Sequence, residues 1–310
     1  MQLSSQERRQ RLKGYAAIVA SAICSGTMWP VQKDLMTEVS PLQANWLMIV
    51  PALVMVAIIY PWRRRGRKLI PPGAPLGWLA LFAIFASAIF YTRNVGTHLT
   101  SATTAALVVR MELAIVFVLS YLILRTRVSA AGWLGTVVLL AGALSAMGIS
   151  CGELSFAALG IGALLIAAML TAANAIIIKL NFNRISSDLP TTASIVCQAV
   201  VFSAILLASG RMGETVATLA SPRVAIEGVL LGALLLWTLL FYYYSIKRIP
   251  LWSCRILSLV APVVATLGDH FWLGSTISQG QLVGLFAVLV GAGLVIMSSR
   301  DDTRERLPQR

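Results

Sequence analysis

The stretch Ala105–Leu124, AALVVRMELAIVFVLSYLIL, is apolar and long enough to cross a membrane, yet it carries an arginine and a glutamate. An ionisable side chain at bilayer depth costs roughly 2.5–3.5 kcal/mol on insertion scales, and such residues usually face a bundle interior or a wet cavity. Arg110 and Glu112 stand two residues apart, and about 100° of rotation per residue places them on nearly opposite sides of a continuous helix. We therefore predict that they do not pair with each other and that the rest of the chain supplies their partners.

The composition indicates that this stretch belongs to a membrane protein. Hydrophobic residues make up 58% of the 310 residues and charged residues 12%, whereas soluble proteins carry about 25% charged residues. The mean hydropathy is +0.81. The net charge of +13 lies in short runs between apolar segments, which is a pattern of membrane topology rather than of nucleic-acid binding. We predict an all-α polytopic membrane protein that does not bind nucleic acid.

Ten apolar windows match the length that about 30 Å of hydrocarbon requires. They lie near residues 13–32, 42–62, 75–92, 101–124, 129–149, 156–178, 190–209, 224–245, 251–273 and 279–298. Lysine and arginine concentrate at one set of window ends, whereas the opposite ends hold only Lys33, Arg93, Arg211 and Arg223. Because such clusters mark cytoplasmic loops, we predict ten transmembrane helices with both termini in the cytoplasm.

An internal repeat relates the two halves of the chain. A shift of 149 residues lays Tyr121–Leu144 over His270–Gly293, with two glycines in register. Since five spans per repeat is an odd number, the second copy enters the membrane in the opposite orientation, as in many secondary transporters. We predict two inverted five-helix repeats, at residues 1–152 and 153–300, followed by a polar cytoplasmic tail at 301–310.

Three further features accompany the paired halves: the segment SATTAAL at Ser101–Leu107, the repeated glycines and the Ala261–Pro262 step. On these features the chain resembles, over about residues 14–298, the drug/metabolite transporter superfamily, in its EamA-like ten-helix exporter type. The resemblance implies a central cavity lined mainly by spans 3, 4, 8 and 9, with spans 1 and 6 contributing. The chain departs from the pattern at Leu113, which stands where the repeat would place a proline and follows Arg-Met-Glu.

Charge, aromatic character and depth within the predicted spans select the candidate cavity residues. They are Arg110, Glu112, Arg255, Trp237, Tyr91, Trp29, Asn174 and Phe241. Charged walls suit ionic or zwitterionic substrates, and aromatic faces suit organic cations through cation–π attraction. Structural alternatives stay open, because Glu112 could pair with Arg255, and Arg255 could instead snorkel to the membrane surface.

The candidates for proton coupling are Glu112, Asp269 and His270, although the last two could simply form a wet helix end. The sequence contains no GxxxxGK[ST] phosphate loop, no cluster with metal-ligand spacing and no nucleophile–base motif. We therefore predict no cofactor, no metal and no enzymatic activity. Transport would then be facilitated or coupled to an ion gradient.

The leading functional prediction is a multi-pass protein of the plasma (bacterial inner) membrane that moves small polar metabolites by alternating access. Amino acids are the first choice of substrate, and export is the first choice of direction. The alternatives are an organic-cation, drug or choline-type carrier and, in another class, a non-transporting scaffold or an intramembrane enzyme. The expected partners are a small-molecule substrate and the lipid bilayer. The oligomeric state stays open, with a monomer slightly favoured, because glycine-rich spans serve packing within a chain and between chains equally.

Overall fold

The computed structural model describes residues 5–64, 76–115, 118, 130–146, 156–181, 188–246, 248–249 and 257–305. These residues form helices, with no strand among them, which confirms the all-α prediction. The helices are α1 (Ser5–Leu35), α2 (Pro41–Arg64), α3 (Leu76–Leu99), α4 (Ala102–Val109), α5 (Ala130–Ala146), α6 (Phe156–Asn181), α7 (Asp188–Ala208), α8 (Met212–Thr218), α9 (Pro222–Ile246), α10 (Val260–Leu273) and α11 (Gln279–Glu305).

Five of these helices are long and apolar enough to cross a membrane. The qualifying segments are Arg9–Leu35, Pro41–Ile59, Leu76–Leu99, Leu189–Ala208 and Pro222–Tyr242, in α1, α2, α3, α7 and α9. Shorter apolar segments occur in α5, α6 and α11. The short helix α8, between α7 and α9, has no counterpart among the predicted windows.

Helices of the first half pack mainly against helices of the second. Helix α1 contacts α9 and α10, while α6 contacts α3 and α4. Helix α2 contacts α9, while α7 contacts α3. The predicted repeat equates α1 with α6, α2 with α7, α3 with α9 and α4 with α10. Under this relation the α1–α9 contact corresponds to α6–α3, the α1–α10 contact to α6–α4, and the α2–α9 contact to α7–α3. Such an exchange of partners is what a two-fold relation between the halves produces.

Glycines allow α5 and α11 to approach closely within the chain. A methyl group on Gly142 would lie 2.6 Å from the Cβ of Ala287, and one on Gly291 would lie 2.7 Å from the carbonyl oxygen of Gly135. Both distances are too short for a side chain, so small residues are required here. These glycines therefore serve packing between the two halves of one chain.

Helix α3 is longer than predicted. It continues to Leu99, seven residues beyond the end of the predicted window at 92. No proline interrupts this stretch, and the guanidinium of Arg93 is covered by aromatic rings rather than solvated at a helix end. Arg93, assigned from the sequence to an outer end, thus lies inside a helix.

The predicted window 101–124 is not one continuous helix. Helix α4 ends at Val109, Arg110 forms a turn, and helical structure resumes at 111–115. In the second half a matching turn at Leu259 precedes α10. The two positions differ by the 149 residues of the predicted repeat, so both halves interrupt the helix predicted as their fourth span at equivalent points.

Candidate functional site

The start of α4 is held by side chains from two other helices. Asp269, near the end of α10, accepts hydrogen bonds from the backbone N–H of Thr103 at 3.0 Å and from its hydroxyl at 2.8 Å. Ser101 caps the same helix by accepting the N–H of Thr104 at 3.0 Å. Gln281 of α11 donates to the Ser101 hydroxyl at 3.1 Å. These bonds satisfy N–H groups that a helix start leaves open and fix the position of α4.

Asp269 therefore has a structural environment that the sequence did not indicate. Its side chain is buried, with 2% exposed, and its charge lies at a helix N-terminus, where the backbone dipole stabilises it. The wet-end alternative is wrong for Asp269. His270, by contrast, is exposed, and its ring Nδ1 lies 3.0 Å from the carbonyl oxygen of Ser275.

At the far end of α4, Arg110 and Glu112 form an ion pair. The Arg110 Nη1 lies 3.7 Å from the Glu112 Oε1, and their side chains are 13% and 17% exposed. The prediction that they do not pair is wrong: it assumed an unbroken helix, and a turn at Arg110 separates α4 from the helical residues 111–115. The distance is too long for a hydrogen bond. The Arg110 Nε is buried without a hydrogen-bond partner.

A second arginine, Arg93 of α3, lies beside this pair. Its guanidinium carbon is 5.0 Å from the ring centroid of Trp29 and 4.3 Å from that of Phe90, both cation–π distances. Its Nη2 donates to the Oε1 of Gln32 at 3.4 Å, and its Nε is buried without a partner. Trp29, which contacts the Arg93 guanidinium, belongs to the cluster against which Val109 and Met111, the neighbours of Arg110, also pack.

Sequence reasoning missed Arg93 because it placed this residue at an outer helix end. Two signals could have found it. The stretch Phe90–Gly96 continues the helical pattern of α3 without a proline, and Phe90 precedes Arg93 by three residues, which puts both on one helix face.

Trp29 is the predicted aromatic residue that reaches this site. It is 4% exposed and lies in a cluster against which Val109 and Met111, on either side of the α4 break, also pack. From α9, Tyr242 lies near enough to Arg110 to interact electrostatically with it. The site thus draws side chains from α1, α3, the α4 region and α9.

Of the other predicted aromatic residues, Trp237 and Tyr91 are exposed and Phe241 is half-buried. Trp237 is 47% exposed, and its ring stacks on Phe241 at a centroid distance of 5.3 Å. Tyr91, the neighbour of Phe90, is 43% exposed. The described contacts of these rings do not include Arg110 or Glu112.

Asn174 and Arg255 complete the predicted set. The buried Asn174 of α6 donates through Nδ2 to the carbonyl oxygen of Phe82 in α3 at 3.2 Å, which is an interhelical hydrogen bond. Arg255 lies outside the described residues, so the predicted Glu112–Arg255 pair stays a prediction.

A cluster of charges joins the end of α1 to α9 and α10. Arg223 contacts Glu38 at 3.0 Å, Glu227 at 2.9 Å and Asp34. The indole N–H of Trp272 donates to the second carboxylate oxygen of Asp34 at 3.0 Å. We call these five residues the Arg223 cluster. It links the first half of the chain to the second at the predicted outer end.

An apolar groove of about 400 Å³ runs between α1 and α10. Its described lining residues are Thr27, Pro30, Val264, Leu267, Gly268, Phe271 and Trp272. None of them is charged, so this groove lacks the groups that would bind a polar metabolite. The Arg93–Arg110–Glu112 group is therefore the stronger candidate site.

Comparison with known proteins relates the sequence to one family and the fold to solved structures. The sequence model of the EamA-like transporter family matches the chain twice, at residues 12–148 and 158–297. No curated protein matches the sequence. Among solved structures 23 chains match, and one, a crystal structure whose description states no function, has a TM-score of 0.64 at 16% identity. That match covers 94% of this chain and 98% of the other, and at this identity it shows the fold alone.

The double family match spans most of the chain and agrees with the repeat found in the sequence. It confirms the resemblance to the drug/metabolite transporter superfamily. The protein is accordingly a multi-pass integral membrane protein, surrounded by lipid, with a small molecule as substrate. The chain belongs to the EamA-like transporter family.

Proposed function

We propose that the protein is a secondary transporter that exports small polar metabolites, with amino acids as the first choice, by alternating access. The observation that carries this proposal is the largely buried Arg110–Glu112 ion pair at the break in the fourth span. Charges at this depth are costly and usually mark substrate or ion pathways in membrane proteins.

The geometry of the pair suits exchange with a zwitterion. At 3.7 Å the two charges attract each other without a hydrogen bond between them. A substrate carboxylate can take the place of Glu112 beside Arg110, while a substrate ammonium group binds Glu112. Glu112 is also the first choice for coupling transport to protons.

The proposed architecture has ten spans in two inverted repeats, at 1–152 and 153–300, with a polar tail at 301–310. Both termini lie in the cytoplasm, and the protein lies in the bacterial inner membrane, with a monomer favoured. The exchanged helix contacts and the double family match support the repeat. Membership in a transporter family favours transport over the scaffold and enzyme alternatives.

A second candidate function is transport of organic cations, including drugs and choline-type compounds. The stacked Trp237 and Phe241 rings support it, since their faces can attract a quaternary ammonium group. The nearby positive charges of Arg93 and Arg110 oppose it.

Counterflow in liposomes tests the proposal. The full chain is reconstituted, and uptake of labelled amino acids and organic cations is measured with and without a pH gradient. We expect amino-acid flux that is strongly reduced in Glu112→Gln. The matched control Glu214→Gln removes an exposed carboxylate of α8 and leaves flux unchanged. Folded protein that moves neither class of compound contradicts the proposal.

A further inference from the structure

We propose that Arg93 and Arg110 act together as a carboxylate-binding pair, and that the substrate carries a net charge of −1. This inference rests on the proposed function and names the substrate class of the same site. It assigns a binding role to Arg93. A metabolite with two carboxylates and one ammonium group fits this class, as does a simple monocarboxylate.

The first support is an excess of hydrogen-bond donors. A guanidinium carries five N–H donors. Among the described contacts, Arg93 uses one of them, in the 3.4 Å bond to Gln32. Arg110 has its 3.7 Å ion contact with Glu112, and the Nε atoms of both arginines are buried without a partner. Buried donors are normally satisfied, so this group of donors lacks an acceptor that a ligand can supply.

The second support is the charge balance of the described site. Arg93 and Arg110 contribute two positive charges and Glu112 one negative charge, which leaves a net charge of +1. Both arginines lie around Trp29, whose ring contacts Arg93 and whose cluster packs against Val109 and Met111 on either side of Arg110. A carboxylate bound between the guanidinium groups neutralises the site. A neutral zwitterion leaves the excess charge in place, and an organic cation increases it.

The third support is how Arg93 is held. The rings of Trp29 and Phe90 contact the guanidinium at 5.0 and 4.3 Å. Cation–π contacts use the face of the guanidinium and leave its N–H edge available for a planar acceptor. The buried Gln32, which also donates to the Met48 sulfur at 3.4 Å, fixes one corner of the same group. Arg93 is thus positioned before a ligand arrives.

Ligand binding to the purified full chain in detergent tests the inference without requiring transport. Thermal unfolding is followed during titration with glutamate, benzoate, phenylalanine and choline at constant ionic strength. We expect glutamate, benzoate or both to bind roughly tenfold or more tightly than phenylalanine and choline, because charge-assisted bidentate bonds form only with the excess anion. Equal binding of all four compounds, or tighter binding of phenylalanine or choline, overturns the inference.

Single substitutions identify the residues that bind the anion. Arg93→Gln and Arg110→Gln should each weaken anion binding by roughly tenfold or more, whereas Arg211→Gln, at an exposed arginine paired with Glu214, should not. If Arg93→Gln does not fold, Arg93→Lys keeps the charge but loses the planar fork, and weaker anion binding is expected there too. Unchanged anion affinity in the folded Arg93 variant overturns the role of Arg93.

The outcomes also separate this inference from the proposed function. Anion binding that depends on Arg93, without flux of any compound, supports the site and contradicts transport. Flux of neutral amino acids or organic cations without anion selectivity supports transport and contradicts the carboxylate pair.

Discussion

The two halves of the protein interrupt the helix predicted as their fourth span at equivalent positions but carry different residues there. Arg110 has φ −66° and ψ −12°, and Leu259 has φ −69° and ψ −9°. The first break carries a charged pair, whereas the second carries the buried Leu259 and Ala261. The backbone break is therefore common to the halves, while the charge is specific to the first. This difference favours a functional role for the charge, since the fold forms the second break without it.

The two breaks also have different causes. Pro262 lacks an N–H and its ring crowds the carbonyl of residue 258, so the second break is explained locally. In the first half Leu113 has an N–H, which bonds to the Arg110 carbonyl at 3.0 Å in a tight three-residue pattern. We therefore expect the first break to depend on its surroundings, including the capped start of α4.

The largest effect is expected when Arg110 and Glu112 are replaced by the residue types of their counterparts, Leu259 and Ala261. Arg110→Leu leaves Glu112 buried without its partner and should lower the free energy of unfolding by about 3 kcal/mol, the lower end for buried pairs. The double variant Arg110→Leu, Glu112→Ala should recover most of that loss but abolish counterflow. Unfolding in detergent and flux in liposomes measure the two effects. Full transport by the double variant would falsify a functional role for the charge.

A proline introduced at Leu113, the counterpart of Pro262, tests whether the backbone at the first break can accommodate proline. Leu113→Pro removes the N–H that bonds to Arg110, whereas Leu107→Pro places the ring inside α4; both leucines are buried. Because an interior proline costs about 3 kcal/mol or more, we expect Leu107→Pro to be the more destabilising by roughly 2 kcal/mol. Equal loss of unfolding free energy would mean that the break does not tolerate proline.

Removal of the Asp269 carboxylate tests the dependence of the first break on its surroundings. Asp269→Ala leaves the N–H and hydroxyl of Thr103 without their acceptor and should cost about 1–3 kcal/mol in unfolding free energy. His270→Ala, at the exposed neighbouring position, is the matched control and should change stability little. Comparable losses in both variants would contradict a specific capping role for Asp269.

The smallest effect is expected at the Arg223 cluster, because Arg223 is exposed whereas the Arg110–Glu112 pair is largely buried. Arg223 has 50% of its side chain exposed, so its ion pairs are screened by salt. Arg223→Ala should lower the free energy of unfolding only slightly, and less still at high salt. A loss as large as that of Arg110→Leu would show that solvent does not screen this cluster.

Local patterns in the chain predicted much of the fold. Apolar windows, the glycine repeat and the family resemblance led to the all-α membrane protein and to the two matched halves. The sequence predicts Arg110, Glu112 and Trp29 as site residues, because charged side chains within apolar spans usually mark a functional site and aromatic rings can line it. These features depend on residue type and spacing, which the sequence displays directly.

The remainder of the site depended on contacts between distant segments. Burial of Asp269 comes from Thr103, which is 166 positions away in the sequence, and the environment of Arg93 comes from Trp29 on another helix. The pairing of Arg110 with Glu112 depends on a turn that no local proline signals.

The membrane class, the repeat and the opposite charges of Arg110 and Glu112 can all be recognised from residue order alone, because hydropathy and spacing are local properties. The position of Arg93 beside Trp29, and with it the excess positive charge of the described site, follows from helix packing. Charge balance and hydrogen-bond satisfaction depend on neighbours in space, and packing between distant segments sets those neighbours.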